Sequence, residues 1–273
     1  MITLEQLQAG IVLPIDKPRQ WTSFQAVNKI KAVVRNTYGL KKFKIGHAGT
    51  LDPLATGLLL VCLGKATKSI PQLQDGDKVY TGTLVLGATT PCYDLEQAVD
   101  RYYPYEHITR DLLEQTVRQF TGTLMQVPPM FSAVKVDGQR AYEIARINNE
   151  ELRIKNDGPR AKPVQVYSFE ITDFRSGDHN STVVPLTPHS LPSHTPLTPH
   201  LYDHPQGTVP PHLPQADFRI HCGKGTYIRS LARDLGLALG SGAFLSSLRR
   251  EQVGEYTLDH ALTLDQVADY LSR

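Results

Sequence analysis

The segment "TSFQAVNKIKAVVRNTY" sets Phe24, Val27, Ile30 and Val34 three or four residues apart, which predicts a helix with Thr22 or Ser23 as N-cap. The pattern then changes. "LLLVCLG" is continuously apolar and suits a strand buried on both faces, while "KVYTGTLVLG" alternates β-branched and apolar residues as a second strand. Helical spacing returns in "TRDLLEQTVRQFTG", opened by Thr109 and closed by Gly122. "VQVYSFEITDF" and "ADFRIHCGKG" alternate like paired strands, "TYIRSLARDLGLAL" predicts a helix ending at Gly240, and "TLDQVADYLSR" a short last helix. Helices and strands mix without a regular βαβ repeat. The expectation is therefore α+β, a largely antiparallel mixed sheet with flanking helices, rather than a doubly wound fold.

Length and composition sharpen this. The 273 residues suit one large domain or two small ones, and we read a single domain over 1–273. It is interrupted between the two paired strands by Ser176–Gln215, which holds nine of nineteen prolines, six of ten histidines and "PLTPH" twice. Such sequence builds neither sheet nor helix, so 176–215 is read as a mobile surface insertion. Its histidines lack any fixed ligand spacing, and no metal site is expected. The longest apolar run, Gly57 to Leu63, is too short to cross a bilayer, and no secretory leader is apparent. Cys62, Cys92 and Cys222 are scattered and odd in number, which fits a reducing compartment. These features point to a soluble cytoplasmic protein.

Net charge of +2 conceals segregation. Asp16 to Lys68 carries ten basic residues against two acids, and Arg219 to Arg250 six against one, so the remainder is strongly acidic. Such clustering suits a polyanion partner, although a solvated basic face would look the same by charge alone.

Several catalytic motifs are absent. Gly57 to Lys65 departs from a phosphate loop in glycine spacing, with Ala66 where Ser or Thr is needed, and Gly240-Ser-Gly242 is no dinucleotide fingerprint. No G-x-S-x-G elbow or H-E-x-x-H occurs. What remains is "KIGHAGTLDPLATGLLLVCLGKATK", where Asp52 stands alone among small residues. "LDP" by itself is an ordinary turn. The neighbouring Gly46, Ala48, Gly49 and Gly57 let a backbone or flat ligand approach closely, with His47 in the same loop and basic residues on either side.

"GHAGTLDPLATGLLLVCLGKATK" resembles the catalytic motif of the TruB-type tRNA pseudouridine synthases, bacterial enzymes acting on tRNA uridine 55. Four further stretches agree in order: "GIVLPIDKP" with "WTS", "DKVYTGTLVLGATT", "PPMFSAVKVDGQRAYEIAR", and "GKGTYIRSLARDLG", with "LSSLRR" after them. The resemblance covers nearly the whole chain outside the insertion. It implies the pseudouridine synthase catalytic fold and isomerisation of uridine in the T-arm loop, on a flipped-out base, with no cofactor or metal. It also implies tRNA as partner, with no membrane, no obligate protein partner and a monomer. An RNA-binding folding factor and a guide-RNA-dependent ribosomal RNA enzyme are the alternatives. The chain stops at Arg273, where many relatives continue into a PUA domain, so none is expected here.

By the same resemblance Asp52 is the essential carboxylate; attack on the sugar, addition to the ring and removal of a sugar proton all fit it. Arg229 is its cationic partner, Tyr80 and Tyr227 stack on the base and assist proton transfer, and His47 packs the base. Leu248 walls the pocket, and Lys17 takes a phosphate or structural role at its mouth. Without the motif, each of these is an ordinary core or surface residue. Two places depart from the family: Gln20 stands where glycine is usual, and Pro91, Cys92 and Tyr93 replace small polar residues, although Asp94 keeps its acid.

Overall fold

The computed structural model describes residues 2–129, 135–136, 139–140, 159–177 and 207–272. Its helices are α1 (Leu4–Ala9), α2 (Ser23–Tyr38), α3 (Ile70–Asp75), α4 (Arg110–Val117), α5 (Ile228–Ala238) and α6 (Gln266–Ser272). The main strands are β1 (Ile11–Lys17), β2 (Ile45–Ala48), β3 (Thr56–Leu63), β4 (Lys78–Leu86), β7 (Gly122–Gln126), β10 (Lys162–Arg175), β11 (Gln215–Cys222) and β12 (Ala243–Val253). Two-residue strands complete the set: β5 (Ala88–Thr89), β6 (Arg101–Tyr102), β8 (Lys135–Val136), β9 (Gln139–Arg140) and β13 (Tyr256–Thr257). One sheet runs β1-β3-β12-β4-β11-β10-β7, with β2 on β3 and β13 on β12. It is mixed, because β12 meets β3 in parallel whereas β1 and β2 meet it antiparallel. Helices and a mostly antiparallel sheet give the α+β class.

The chain divides into two compact units, one of residues 1–81, 219–225 and 247–273, the other of 82–218 and 226–246. In the first, β3 is the centre, and Leu58 through Leu63 are all fully buried. Alternate residues Leu58 and Leu60 share a cluster with Ala48 and Val253, packed by Val12, Ile70, Leu73, Tyr256, Leu258 and Ala261. β1 occupies one edge of β3 from Gly57 to Leu63. The other edge is shared: β2 takes Leu60 to Leu63, and β12 takes Thr56 and Gly57. This division delivers Arg249 and Arg250 to the end of β3 beside the Asp52 turn.

α2 begins with a capping box in which Thr22 Oγ1 accepts from Gln25 N–H and Gln25 Oε1 accepts from Thr22 N–H. Thr22 is thus the N-cap, and Ser23 is released for another bond described below. In the second unit β7 and β10 pair antiparallel from Gln126↔Lys162 to Gly122↔Val166. Most of the Pro/His-rich stretch lies outside the described residues. Its last part is packed: His212 and Leu213 are buried, and the His212 ring stacks on Tyr102 at 5.9 Å.

Candidate active site

Asp52 sits half-buried in a turn closed by the Ala55 N–H donating to its carbonyl at 3.1 Å. Three sets of bonds fix that turn. Ser23 and Leu51 form a reciprocal pair, in which Leu51 N–H donates to Ser23 Oγ at 2.9 Å and Ser23 Oγ donates to Leu51 O at 3.2 Å. Gln20 N–H donates to Pro53 O at 2.8 Å. The Lys17 ammonium donates to the carbonyls of Trp21, Pro18 and Pro53 at 2.6, 3.0 and 3.4 Å. Lys17 is fully buried and spends its three protons on backbone, so of its two expected roles the geometry suits the structural one. Burial pulls its pKa down to about 8, partly opposed by the charge of Asp52.

Arg250 is a second buried cation, 2% exposed, on the strand that pairs with β3. Its Nε donates to Leu58 O at 2.7 Å and its Nη2 to Gly49 O at 3.0 Å, and it bonds the Tyr80 side chain. It therefore links β3, the start of the Asp52 loop and the tyrosine on β4. Nothing in local periodicity singles it out. The available signals were the doubled arginine after Leu248 and the glycine at 57. Gly57 has φ +96°, and a Cβ there would lie 2.3 Å from Arg250 O, so any other residue would push β12 away. Arg249, next along, pairs with Asp16 through two bonds of 2.9 and 3.1 Å.

Around these cations lie the aromatic groups. Tyr80 is buried; desolvation pushes its hydroxyl pKa up, against the pull of Arg250. His47, on β2, is held toward its neutral form first by burial and then by Arg250, and its Nδ1 is buried without a hydrogen-bond partner. Leu248 is half-buried on β12. Lys17, His47, Asp52, Tyr80 and Leu248 thus belong to one unit, with Arg250 among them.

Tyr227 and Arg229 belong to the second unit, at the start of α5. Tyr227 is held by a reciprocal clasp, its N–H donating to Gln126 Oε1 at 2.8 Å and its carbonyl accepting from Gln126 Nε2 at 3.1 Å. Arg229 is no surface arginine. It is 4% exposed, donates to Cys92 O at 3.2 Å, and lies 3.8 Å from the Asp94 carboxylate. The departure at 91–93 therefore forms part of this arginine's seat. Among the described residues no three of His, Cys, Asp or Glu come together as metal ligands, and no helix is long and apolar enough to cross a membrane.

The cluster offers a half-buried carboxylate, two dry cations, a buried phenol and a neutral imidazole. Such a set can present a carboxylate to a flat substrate among groups able to bear or move a proton.

Residues 35–185 match the TruB family pseudouridylate synthase (N terminal domain), and 229–273 the tRNA pseudouridylate synthase B C-terminal domain. The chain is 46% identical over 264 residues to tRNA pseudouridine synthase B of Flavobacterium johnsoniae, covering 96% of each chain. It is 42% identical to the protein of that name from Parabacteroides distasonis, over 97% of this chain and 94% of the relative. Among solved structures it resembles a chain of a Cbf5-Nop10-Gar1 complex, with a TM-score of 0.61 and 27% identity, over 97% of this chain and 55% of that one. With family matches over 35–185 and 229–273 and relatives this similar along nearly their whole length, the chain belongs to the TruB family of pseudouridylate synthases.

Proposed function

We propose that this protein is a cofactor-independent tRNA pseudouridine synthase acting on uridine 55 of the T-arm loop, as a cytoplasmic monomer needing no protein partner. The observation that carries the reading is Asp52, half-buried in a turn pinned by Lys17, Ser23 and Arg250, in a chain 46% identical to a tRNA pseudouridine synthase B. The lower identity to the Cbf5 chain, 27% against 46% to a tRNA pseudouridine synthase B, favours tRNA over a guide-RNA-dependent substrate.

The reaction breaks the bond from ribose C1′ to uracil N1 and forms one from C1′ to C5. The C5 proton leaves and N1 gains one, so nothing is oxidised or reduced. Asp52 is the carboxylate the reaction requires, and the Lys17 ammonium holds the turn that carries it through its bond to Pro53 O. Tyr80, Tyr227 and His47 hold the base, Leu248 walls the pocket, and Arg229 supplies the further cation. A detached base has to be kept from water, which suits the dry surroundings of Lys17, Tyr80 and Arg250.

The test is incubation of purified protein with an unmodified tRNA transcript, then mapping of pseudouridine at single-nucleotide resolution. Pseudouridine at position 55 alone is the expected outcome. Its absence, or modification elsewhere only, refutes the assignment.

A further inference from the structure

The two ends of β3 carry different chemistry. Its first residues meet Arg250 and the Asp52 turn; its last leads into a 3₁₀ turn, Gly64–Ser69. At that far end β2 starts opposite Leu63, and Gly64 N–H donates to Lys44 O at 2.9 Å, which sets the approach to β2 beside the exit from β3. Between them lies a hollow of about 220 Å³ lined by Lys42, Phe43, Lys44, Lys65, Thr67 and Lys68. All four lysines are exposed, and among the described residues none is paired with a carboxylate. Extended chain rises about 3.3 Å per residue, so Gly57 to Gly64 puts the hollow roughly 20 Å from the catalytic end of β3.

We propose that this hollow is a second phosphate site, holding the sugar–phosphate backbone of the substrate RNA at a point remote from the reacting uridine. Four gathered like charges repel one another, and an anion relieves that repulsion. Ammonium groups on flexible stems suit phosphate oxygens as point charges, and Phe43 offers an apolar surface to a ribose. Phosphate contacts fix register without reading sequence, which is what a site far from the target base can contribute. The proposal rests on tRNA being the substrate.

The test compares wild type with K42Q/K44Q/K65Q/K68Q for binding of an unmodified tRNA transcript across a salt series, with pseudouridine formation followed in parallel. A second variant, R101Q/R118Q/R160Q/K162Q, removes the same charge from exposed positions of the other unit. The lysine variant should bind at least about tenfold more weakly at fixed salt, with a log–log slope flatter by roughly 0.7 to 0.9 for each phosphate no longer neutralised. Its kcat at saturating tRNA should be unchanged. An unaltered slope and affinity in the lysine variant, beside a wild type that modifies tRNA, would overturn this site alone. An equal loss in the second variant would reduce it to general charge, and a wild type that neither binds nor modifies tRNA would overturn the substrate reading with it.

Discussion

Arg250→Met keeps most of the side chain's length and removes its guanidinium. Leu58 O and Gly49 O then lose their donors, and the Tyr80 hydroxyl loses its partner, all in a region 2% exposed at Arg250 itself. A buried group left without its partner costs about 1–3 kcal/mol, though a carbonyl that also accepts within the sheet sits at the low end. Three such losses come to about 4 kcal/mol, with the buried cation's own desolvation partly returned. For a chain of this size that lowers Tm by roughly 8–16 °C. Catalysis should suffer separately, since Gly49 leads the loop into Asp52 and a displacement of about 1 Å can cost about a hundredfold. Arg250→Lys separates the two effects: it keeps a cation but cannot span Leu58, Gly49 and Tyr80 together. We expect it to recover part of the Tm while kcat stays at least tenfold down, about 1.4 kcal/mol. Calorimetry and single-turnover pseudouridine formation measure the two quantities. Wild-type kcat in either folded variant would show that Arg250 merely fills space.

Asp52→Asn should abolish turnover while tRNA affinity stays within about tenfold, or 1.4 kcal/mol, measured by filter binding; multiple turnover in that variant would remove Asp52 from the chemistry. Activity should decline as pH rises through about 8, where the buried Lys17 ammonium is lost and its hold on the carbonyls around the Asp52 turn weakens, and Lys17→Met should lack that limb. Because the folded pKa lies below the unfolded 10.5, the unfolded chain binds more protons between about 8 and 10.5, so this group's contribution to stability rises with pH there. A decline that tracks unfolding by circular dichroism would contradict the assignment. Gln20 has φ +66°, so Gln20→Gly should relieve about 1 kcal/mol of backbone strain and raise Tm by roughly 2 °C, with the Gln20 N–H bond to Pro53 O kept. A lower Tm would show that glycine's greater freedom in the unfolded chain dominates.

Elements with a strong period were legible. α2, β3, β4, β10, β11 and α5 fall where the sequence places them, within three residues, the helices, β10 and β11 through a repeating buried face and β3 through an apolar run buried along its length. β1 and β12 were not read as strands. β12, "AFLSSLRREQV", carries charge along half its length, and its charged residues are satisfied by partners far away in sequence: Arg249 by Asp16, Arg250 by Gly49 and Leu58. A strand that buries arginine presents no apolar alternation to read. The N-cap of α2 was read as Thr22 or Ser23; Thr22 takes it through its reciprocal bonds with Gln25, while Ser23 turns to Leu51, a tertiary partner.

The two departures from the family pattern give the clearest case of chemistry hidden from pattern reading. Gln20 and Tyr93 are the described non-glycine residues with positive φ, at +66° and +59°. A chain needs glycine or a small polar residue at such positions on conformational grounds, so a larger side chain marks a local conflict held in place by its surroundings. Both conflicts adjoin residues of the proposed site. Gln20 donates to Pro53, beside Asp52; the Tyr93 ring lies 5.7 Å from the Arg233 guanidinium and its carbonyl accepts from Leu245 at 3.0 Å, one residue from the Cys92 carbonyl that seats Arg229. Sequence marked both positions as unusual without saying why. The backbone supplies the reason: the turns that carry Asp52 and seat Arg229 are fixed by their bonds to neighbouring elements, and the side chains at their strained corners conform to those bonds.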